Sequence, residues 1–330
     1  MGIHRLAWQA VALVSMTSAA AAAPQDCKLI RIEEWPIRLE RNLPIIDGEI
    51  NGQKIGILLD SGAERSLMTR SAATRLMLTR YDVAASRLYA VGRDRPLEAV
   101  RVEELRIGPA MRRNWDVLLA AEQDFGSEIS LILGDDFLSA VDVEFDFPNR
   151  AVRLFQPKDC EGVSLAYWAR SGAGEAALES GPKTLFTVAV NGRPMRAQID
   201  TGASVSALTM SDAARFGITP RSPGVVTAGC SIGVGRKPVD YWSAPFESFA
   251  IGNEVIRNPT LRFADVFKDV VFADGRALSP FAEQPQMLLG VDFLRAHRVL
   301  VSRSQRKLYF TYSGGTVFPA GPAKGCQDLR

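Results

Sequence analysis

The sequence predicts a mainly β protein built from two copies of one barrel-like domain related by a pseudo-two-fold axis, with only short helices. Three observations carry this. An Asn-Gly turn is followed eight residues later by Asp-Ser/Thr-Gly-Ala in each half, at Asn51-Gly52 to Asp60-Ser61-Gly62-Ala63 and at Asn191-Gly192 to Asp200-Thr201-Gly202-Ala203. A Leu-Gly-x-Asp-Phe-Leu element recurs at 133–138 and 289–294. Short alternating apolar and polar runs bounded by Gly, Pro and Asn surround both copies, which is strand patterning.

The chain has 330 residues, 47% hydrophobic and 23% charged, ordinary for a folded soluble protein of about two domains. Lys plus Arg is 39 and Asp plus Glu 37, without long like-charge runs, so there is no electrostatic footprint for a nucleic-acid partner.

Residues 1–22 read as a signal peptide. His4 and Arg5 precede an apolar stretch from Leu6 to Val14, and small residues follow to Ala23. A membrane anchor is the alternative, but Gln9, Ser15, Thr17 and Ser18 interrupt the run and no basic flank follows. The expectation is a periplasmic or secreted protein with no membrane contact after cleavage. Residues 23–42 form an extension whose β-branched and aromatic residues between Lys28 and Glu40 suit an extra strand. Export makes Cys27, Cys160, Cys230 and Cys326 candidates for two disulfides, with three connectivities open and free buried thiols as the alternative.

The first domain spans 43–156 and the second 183–316, joined by a Gly/Ser-rich linker at 157–182 and followed by a tail at 317–330. After each Asp motif a Thr stands in N-cap position: Thr69 before a helix over Arg70 to Leu78, and Thr209 before one over Met210 to Phe216, with Gly217 as the stop. Each copy closes in a hairpin. Val141 to Phe147 returns through Pro148-Asn149 as Ala151 to Phe155; Val299 to Val301 returns as Leu308 to Thr311.

The chemistry points to the repeated Asp. An apolar strand desolvates the carboxyl it delivers, while the Gly two residues on permits a tight turn and presents its N–H. The neighbouring hydroxyl can lock the loop. A two-fold relation brings Asp60 beside Asp200, where like charges cannot both ionise easily and one proton is shared. A neutral carboxyl that polarises a carbonyl, beside an ionised one that deprotonates water, is suited to adding water to an amide. No metal or other cofactor is required, and two histidines, His4 and His297, are too few for His-based centres once the leader is removed. Asp136 and Asp292 read as helix caps, and Tyr241-Trp242 as packing or a substrate-side pair.

These paired motifs, each with a downstream apolar-apolar-Gly at Ile132-Leu133-Gly134 and Leu288-Leu289-Gly290, resemble the signatures of pepsin/retropepsin aspartic proteases, and most of all bacterial retropepsin-like proteins with two fused copies. The Ala after each Gly is similar to the retroviral type. The resemblance implies acid-protease barrel domains, an extended polypeptide substrate, and catalysis by Asp60 and Asp200. It further implies bracing by Ser61 and Thr201, support from the amides of Gly62 and Gly202, and flaps near Tyr89, Gly92, Gly229 and Gly235. The reading is an aspartic endopeptidase acting as a monomer with an intramolecular dyad. A non-catalytic peptide-binding or envelope-interaction protein on the same fold is the rival, separated by whether the carboxyls touch. Like-with-like pairing of halves between chains is a third possibility.

Overall fold

The computed structural model describes residues 26–83, 90–91, 98–121, 129–181, 183–232, 238–267, 270–271, 284–319 and 324–326. Residues 1–22, read as the leader, and Tyr89, Gly92 and Gly235 lie outside the described residues.

In the first lobe the Asn-Gly turn joins strands Leu43–Ile50 and Gln53–Leu59. Asn51 and Gly52 both take positive φ, 50° and 77°, as such a two-residue turn requires. The Asn51 side chain also accepts the Glu104 N–H, so the turn is tied to strand Glu98–Ile107. That strand pairs with both Leu43–Ile50 and Ala110–Ala121. The ring continues through Leu67–Thr69 and Ile129–Leu133 back to Gln53–Leu59, closing a six-stranded barrel. Its interior is aliphatic, with Ile46, Ile57, Leu59, Val100 and Leu131 essentially inaccessible.

The second lobe repeats the order. Leu185–Val190, Arg193–Ile199, Met287–Leu289, Ala207–Thr209, Thr260–Ala264 and Pro238–Pro245 are successive neighbours in one sheet. Its long strands are broken where the first lobe's are continuous: Pro238–Pro245 and Ser248–Ile251 together stand where Glu98–Ile107 stands. The break follows Pro245, and Pro259 lies opposite it; neither can donate to a ladder. Asn191 again accepts backbone N–H groups from the facing strand, at Glu247 and Ser248.

The terminal hairpins of the two lobes meet edge to edge. Asp142–Asp146 pairs antiparallel with Val301 to Arg298, within a six-stranded sheet that both lobes build. Strand Lys28–Pro36 adds to one margin and Gly174–Ala177 to the other. The expected extra strand between Lys28 and Glu40 is thus present, and residues 157–182 also contribute a strand. Disulfides join Cys27 to Cys160 and Cys230 to Cys326, one of the three possible pairings.

Both helices are shorter than expected. The first is Arg70–Arg75 and the second Met210–Ala214. Thr69 and Thr209 do cap them, each Oγ1 accepting a backbone N–H three residues on at 3.1 Å. Each helix ends early because the chain turns left-handed soon after it, at Met77 and at Gly217.

Candidate active site

Each catalytic candidate is delivered by a buried strand held in a parallel pair. Leu59 lies opposite Leu133 and Ile199 opposite Leu289. The Asp60 N–H then bonds to the Leu133 carbonyl at 3.0 Å, and the Asp200 N–H to that of Leu289 at 2.9 Å. The chain turns back at once, because each Asp accepts backbone N–H groups onto its own Oδ1. Asp60 receives Gly62 and Ala63, both at 3.0 Å; Asp200 receives Gly202 at 2.9 Å and Ala203 at 3.1 Å.

Each carboxyl lies against the loop of the other lobe, Asp60 beside Gly202 and Asp200 beside Gly62. The glycines make the approach possible: a Cβ on Gly62 would fall within 3.0 Å of the Asp200 carboxylate, and one on Gly202 within 3.0 Å of the Asp60 carboxylate. Any side chain at either position would push the pair apart.

Ser61 and Thr201 lock the loops across the pseudo-two-fold axis. Ser61 N donates to Thr201 Oγ1 at 2.9 Å and Thr201 N to Ser61 Oγ at 3.1 Å. The hydroxyls pass their own protons to the strand before the opposite motif: Ser61 Oγ to the Ile199 carbonyl at 2.9 Å and Thr201 Oγ1 to the Leu59 carbonyl at 2.8 Å. Thr201 is wholly buried, so all four bonds are shielded from water.

Electrostatics follow from this packing. Burial is the main cause raising both carboxyls above the ordinary range; the backbone N–H groups oppose it, and the charge of Asp60 adds to the rise at Asp200.

Asp292 Oδ1 accepts the Phe293 N–H of its own helix's first turn at 2.9 Å, a cap bond that Asp136 does not share. The N-cap residues themselves, Gly134 and Gly290, make no side-chain cap. Instead Asp136 Oδ1 accepts the N–H and hydroxyl of Ser66 at 2.8 and 2.7 Å, and Asp292 Oδ1 those of Ser206 at 2.7 and 2.6 Å. Each Ser Oγ in turn accepts the N–H of Gly134 or Gly290. Each carboxylate takes the two donors that the serine loop offers, which fastens the Asp loop from behind. Ser66 and Ser206 escaped the sequence reading, although both stand six residues after the Asp and that matched spacing is visible.

Of the four flap candidates, Gly229 alone is described. It lies in strand Val226–Ile232 with φ of 134°, at a bulge between Thr227 and Gly229. Tyr241, on the paired strand, lies within the electrostatic reach of Asp200. His297 is fully buried, its ring stacked on Phe293 at 4.0 Å and its nitrogens bonded to the Phe293 carbonyl and Glu254, a structural role. A cavity of about 600 Å³ on the first lobe, lined by Arg38, Lys54, Arg75 and Arg106 among others, includes no residue of the Asp motifs. Among the described residues no cluster of His, Cys, Asp and Glu could hold a metal ion.

A family model described as aspartyl protease matches residues 46–137 and 186–293, one match per lobe and together more than half of the chain. The chain belongs to the aspartyl protease family. The two matches enclose both Asp-Ser/Thr-Gly loops and both Leu-Gly elements, so the duplication seen in the structure is a duplication of the family unit itself. No curated protein matches this aspartyl protease family member significantly at the sequence level.

Proposed function

We propose that this protein is an exported aspartic endopeptidase in which Asp60 and Asp200 activate water against a peptide bond. The observation that carries the reading is the packing of each carboxyl against the glycine of the opposite loop, while N–H groups of its own loop hold it in place. A pair sharing one proton has both an acid and a base in place. The ionised carboxylate takes a proton from a water held between the pair. The resulting hydroxide adds to the amide carbon as the neutral carboxyl gives its proton to the carbonyl oxygen. In the tetrahedral diol the amide nitrogen then takes a proton from the dyad and the C–N bond breaks. One diol hydroxyl returns its proton, so the pair ends with the single proton it began with.

The substrate class this favours is an extended polypeptide, whose main chain can bind as a strand between lobes. Two disulfides favour an oxidising compartment, periplasmic or extracellular, and no described helix is long and apolar enough to cross a membrane. The working unit is a monomer. The lobe junction supports this, because its two halves are chemically unlike. Asp142, Glu144 and Asp146 of the first lobe are buried there and stand opposite Ser302, Leu300 and Arg298 of the second. Pairing two first lobes through the same register would set Glu144 against Glu144 and Asp142 against Asp146, with no cation from the partner strand.

The test is cleavage of an unfolded protein by the full chain across a pH series. Asp60→Asn and Asp200→Asn should each lower the rate by at least about a hundredfold. Survival of activity in either variant ends the assignment.

A further inference from the structure

The turn that follows strand His297–Ser302 in the second lobe is docked on the first lobe. Ser302 Oγ donates to Asp142 Oδ2 at 2.8 Å, and Ser304 donates to the same carboxylate through its N–H at 3.0 Å and its hydroxyl at 2.7 Å. Two serines therefore fix the chain on either side of Arg303, which limits where its side chain can point. Arg303 Nη2 donates to Asp135 Oδ1 of the first lobe and, at 2.8 Å, to Thr184 Oγ1 of its own lobe.

Asp135 is the residue after Gly134 in the Leu-Gly element, and its backbone supports the Asp60 loop directly. The Asp135 N–H donates to the Ala63 carbonyl at 2.7 Å, and the Ala63 N–H is one of the two donors that hold Asp60 Oδ1. A continuous path thus runs from the second lobe to the first lobe's acid, through Arg303, Asp135 and Ala63. The ion pair in it is partly shielded, with the Asp135 and Arg303 side chains 16% and 22% exposed. Burial raises the Asp135 carboxyl above the ordinary range and the Arg303 cation opposes that rise. Ser61, Asp135, Thr184 and Arg303 also share the wall of one cavity of about 10 Å³, room for no more than a single water, so the pair packs close to the Ser61–Thr201 lock.

The duplication does not repeat this support. The residue after Gly290 is the buried Val291, whose N–H makes the matching bond to the Ala203 carbonyl at 2.9 Å but whose side chain offers no charge. At the same interval after Gly134 as Arg303 from Gly290 stands Phe147, which lies in the apolar core. The two loops have the same shape and unlike backing: an ion pair to the opposite lobe stands behind the Asp60 loop, and an apolar side chain behind the Asp200 loop.

We propose that Asp135 and Arg303 are a positioning pair for the hydrolytic reaction, through which the second lobe sets where the Leu-Gly element holds the Asp60 loop and so places Asp60 against Asp200. The proposal rests on the peptidase reading. Neither residue touches the polypeptide in it; both act through Ala63 and Asp60, so their loss slows the chemical step and leaves substrate affinity nearly unchanged.

The test measures kcat and KM of the full chain on fluorescein-labelled casein, with amide hydrogen exchange across 60–66 as a readout that needs no turnover. Arg303→Met keeps an unbranched stem and removes the donors; kcat should fall about tenfold with KM changed by less than about twofold, and exchange across 60–66 should quicken. Arg303→Lys keeps the cation and should recover most of kcat, which packing alone would not explain. If Arg303→Met does not fold, Asp135→Asn still accepts from Arg303 without the charge and should show the same changes on a smaller scale. Trp168→Phe removes the indole bond to Thr311 Oγ1, elsewhere in the same sheet; it should lower the melting temperature and leave kcat and the exchange across 60–66 as they were. Native exchange across 60–66 in Arg303→Met, or in Asp135→Asn where that is the variant that folds, overturns the pair as a support of the loop. Quickened exchange with kcat unchanged, a fall in kcat that Arg303→Lys does not restore, or a rise in KM alone overturns its role in the reaction. Casein left uncut by the unsubstituted chain removes the peptidase reading and that role with it, and the exchange then decides the support of the loop by itself.

Discussion

Ser61 and Thr201 exchange backbone-to-side-chain hydrogen bonds across the lobe boundary at 2.9 and 3.1 Å, and each then donates its hydroxyl to the strand that delivers the other lobe's Asp. The two carboxyls are thus positioned by groups belonging to the opposite lobe. Thr201→Val keeps the shape and removes two of the four bonds, leaving the Ser61 N–H and the Leu59 carbonyl buried without partners. Chemical denaturation should show a loss of about 2–4 kcal/mol, and cleavage should fall more than stability does. Thr201→Ser should behave nearly as the native residue.

Gly202 leaves no room for a methyl group beside Asp60. Gly202→Ala should therefore separate the carboxyls and reduce cleavage by about a hundredfold or more, the scale of a 1 Å misplacement in a reacting centre. Its backbone φ is not in the left-handed region, so the effect comes from the lost approach between acids. A crystal structure of the variant showing the pair still in contact would refute this.

The raised carboxyls make stability depend on pH in a stated direction. A group whose folded pKa lies above its unfolded value binds more protons in the native state, so stability falls as pH rises between the two. For Asp200 that window runs from the ordinary carboxylate value, 3.8, up to about 8. The native chain should lose stability across this range, and Asp200→Asn, which has no charge to bury, should flatten the loss. Thermal melts of both chains between pH 4 and 8 measure it; parallel curves would refute the dyad's role in the slope.

Glu144 is wholly buried at the lobe junction and is held by Arg153 at 2.6 Å and by Arg298 at 2.9 and 3.1 Å. The Arg298 guanidinium also lies over Trp168 at 4.6 Å. Arg298→Ala removes the second lobe's cation from that carboxylate and should cost about 3–5 kcal/mol, the usual consequence of stranding half of a buried ion pair. Arg298→Ala with Glu144→Leu should recover most of it, since Leu300 is the register partner of residue 144 and offers an apolar contact. Equal stability of the single and double variants would contradict the pairing.

Much of this was legible from spacing. The Gly-to-Asp interval of eight in both halves, the Thr caps at 69 and 209 and the Leu-Gly elements are local patterns, and local patterns survive in one dimension. Asp136 shows where that fails: a carboxylate beside a helix start looks like a cap unless one sees that Ser66 lies across from it, while Asp292 serves both its own helix and Ser206. The alternation of Asp142, Glu144 and Asp146 with Val143 and Phe145 marks a strand but does not say where its acidic face lies. The structure buries that acidic face, because arginines from both lobes neutralise it. Tyr241-Trp242 reads as packing or as a substrate-side pair, because a one-residue change of register turns each ring to the other face; Trp242 stacks on Phe263.

By itself the sequence determined the duplicated β architecture and the residue types at the two loops, since turn chemistry, strand alternation and helix capping act over a few residues. The tertiary structure alone decided which cysteines pair, which side chains brace the carboxyls from the far lobe, and that the tail returns to hold a hairpin. Those relations join residues about a hundred positions or more apart, such as 61 with 201 and 230 with 326, and their energies exist only once the chain has closed the intervening loops and excluded water.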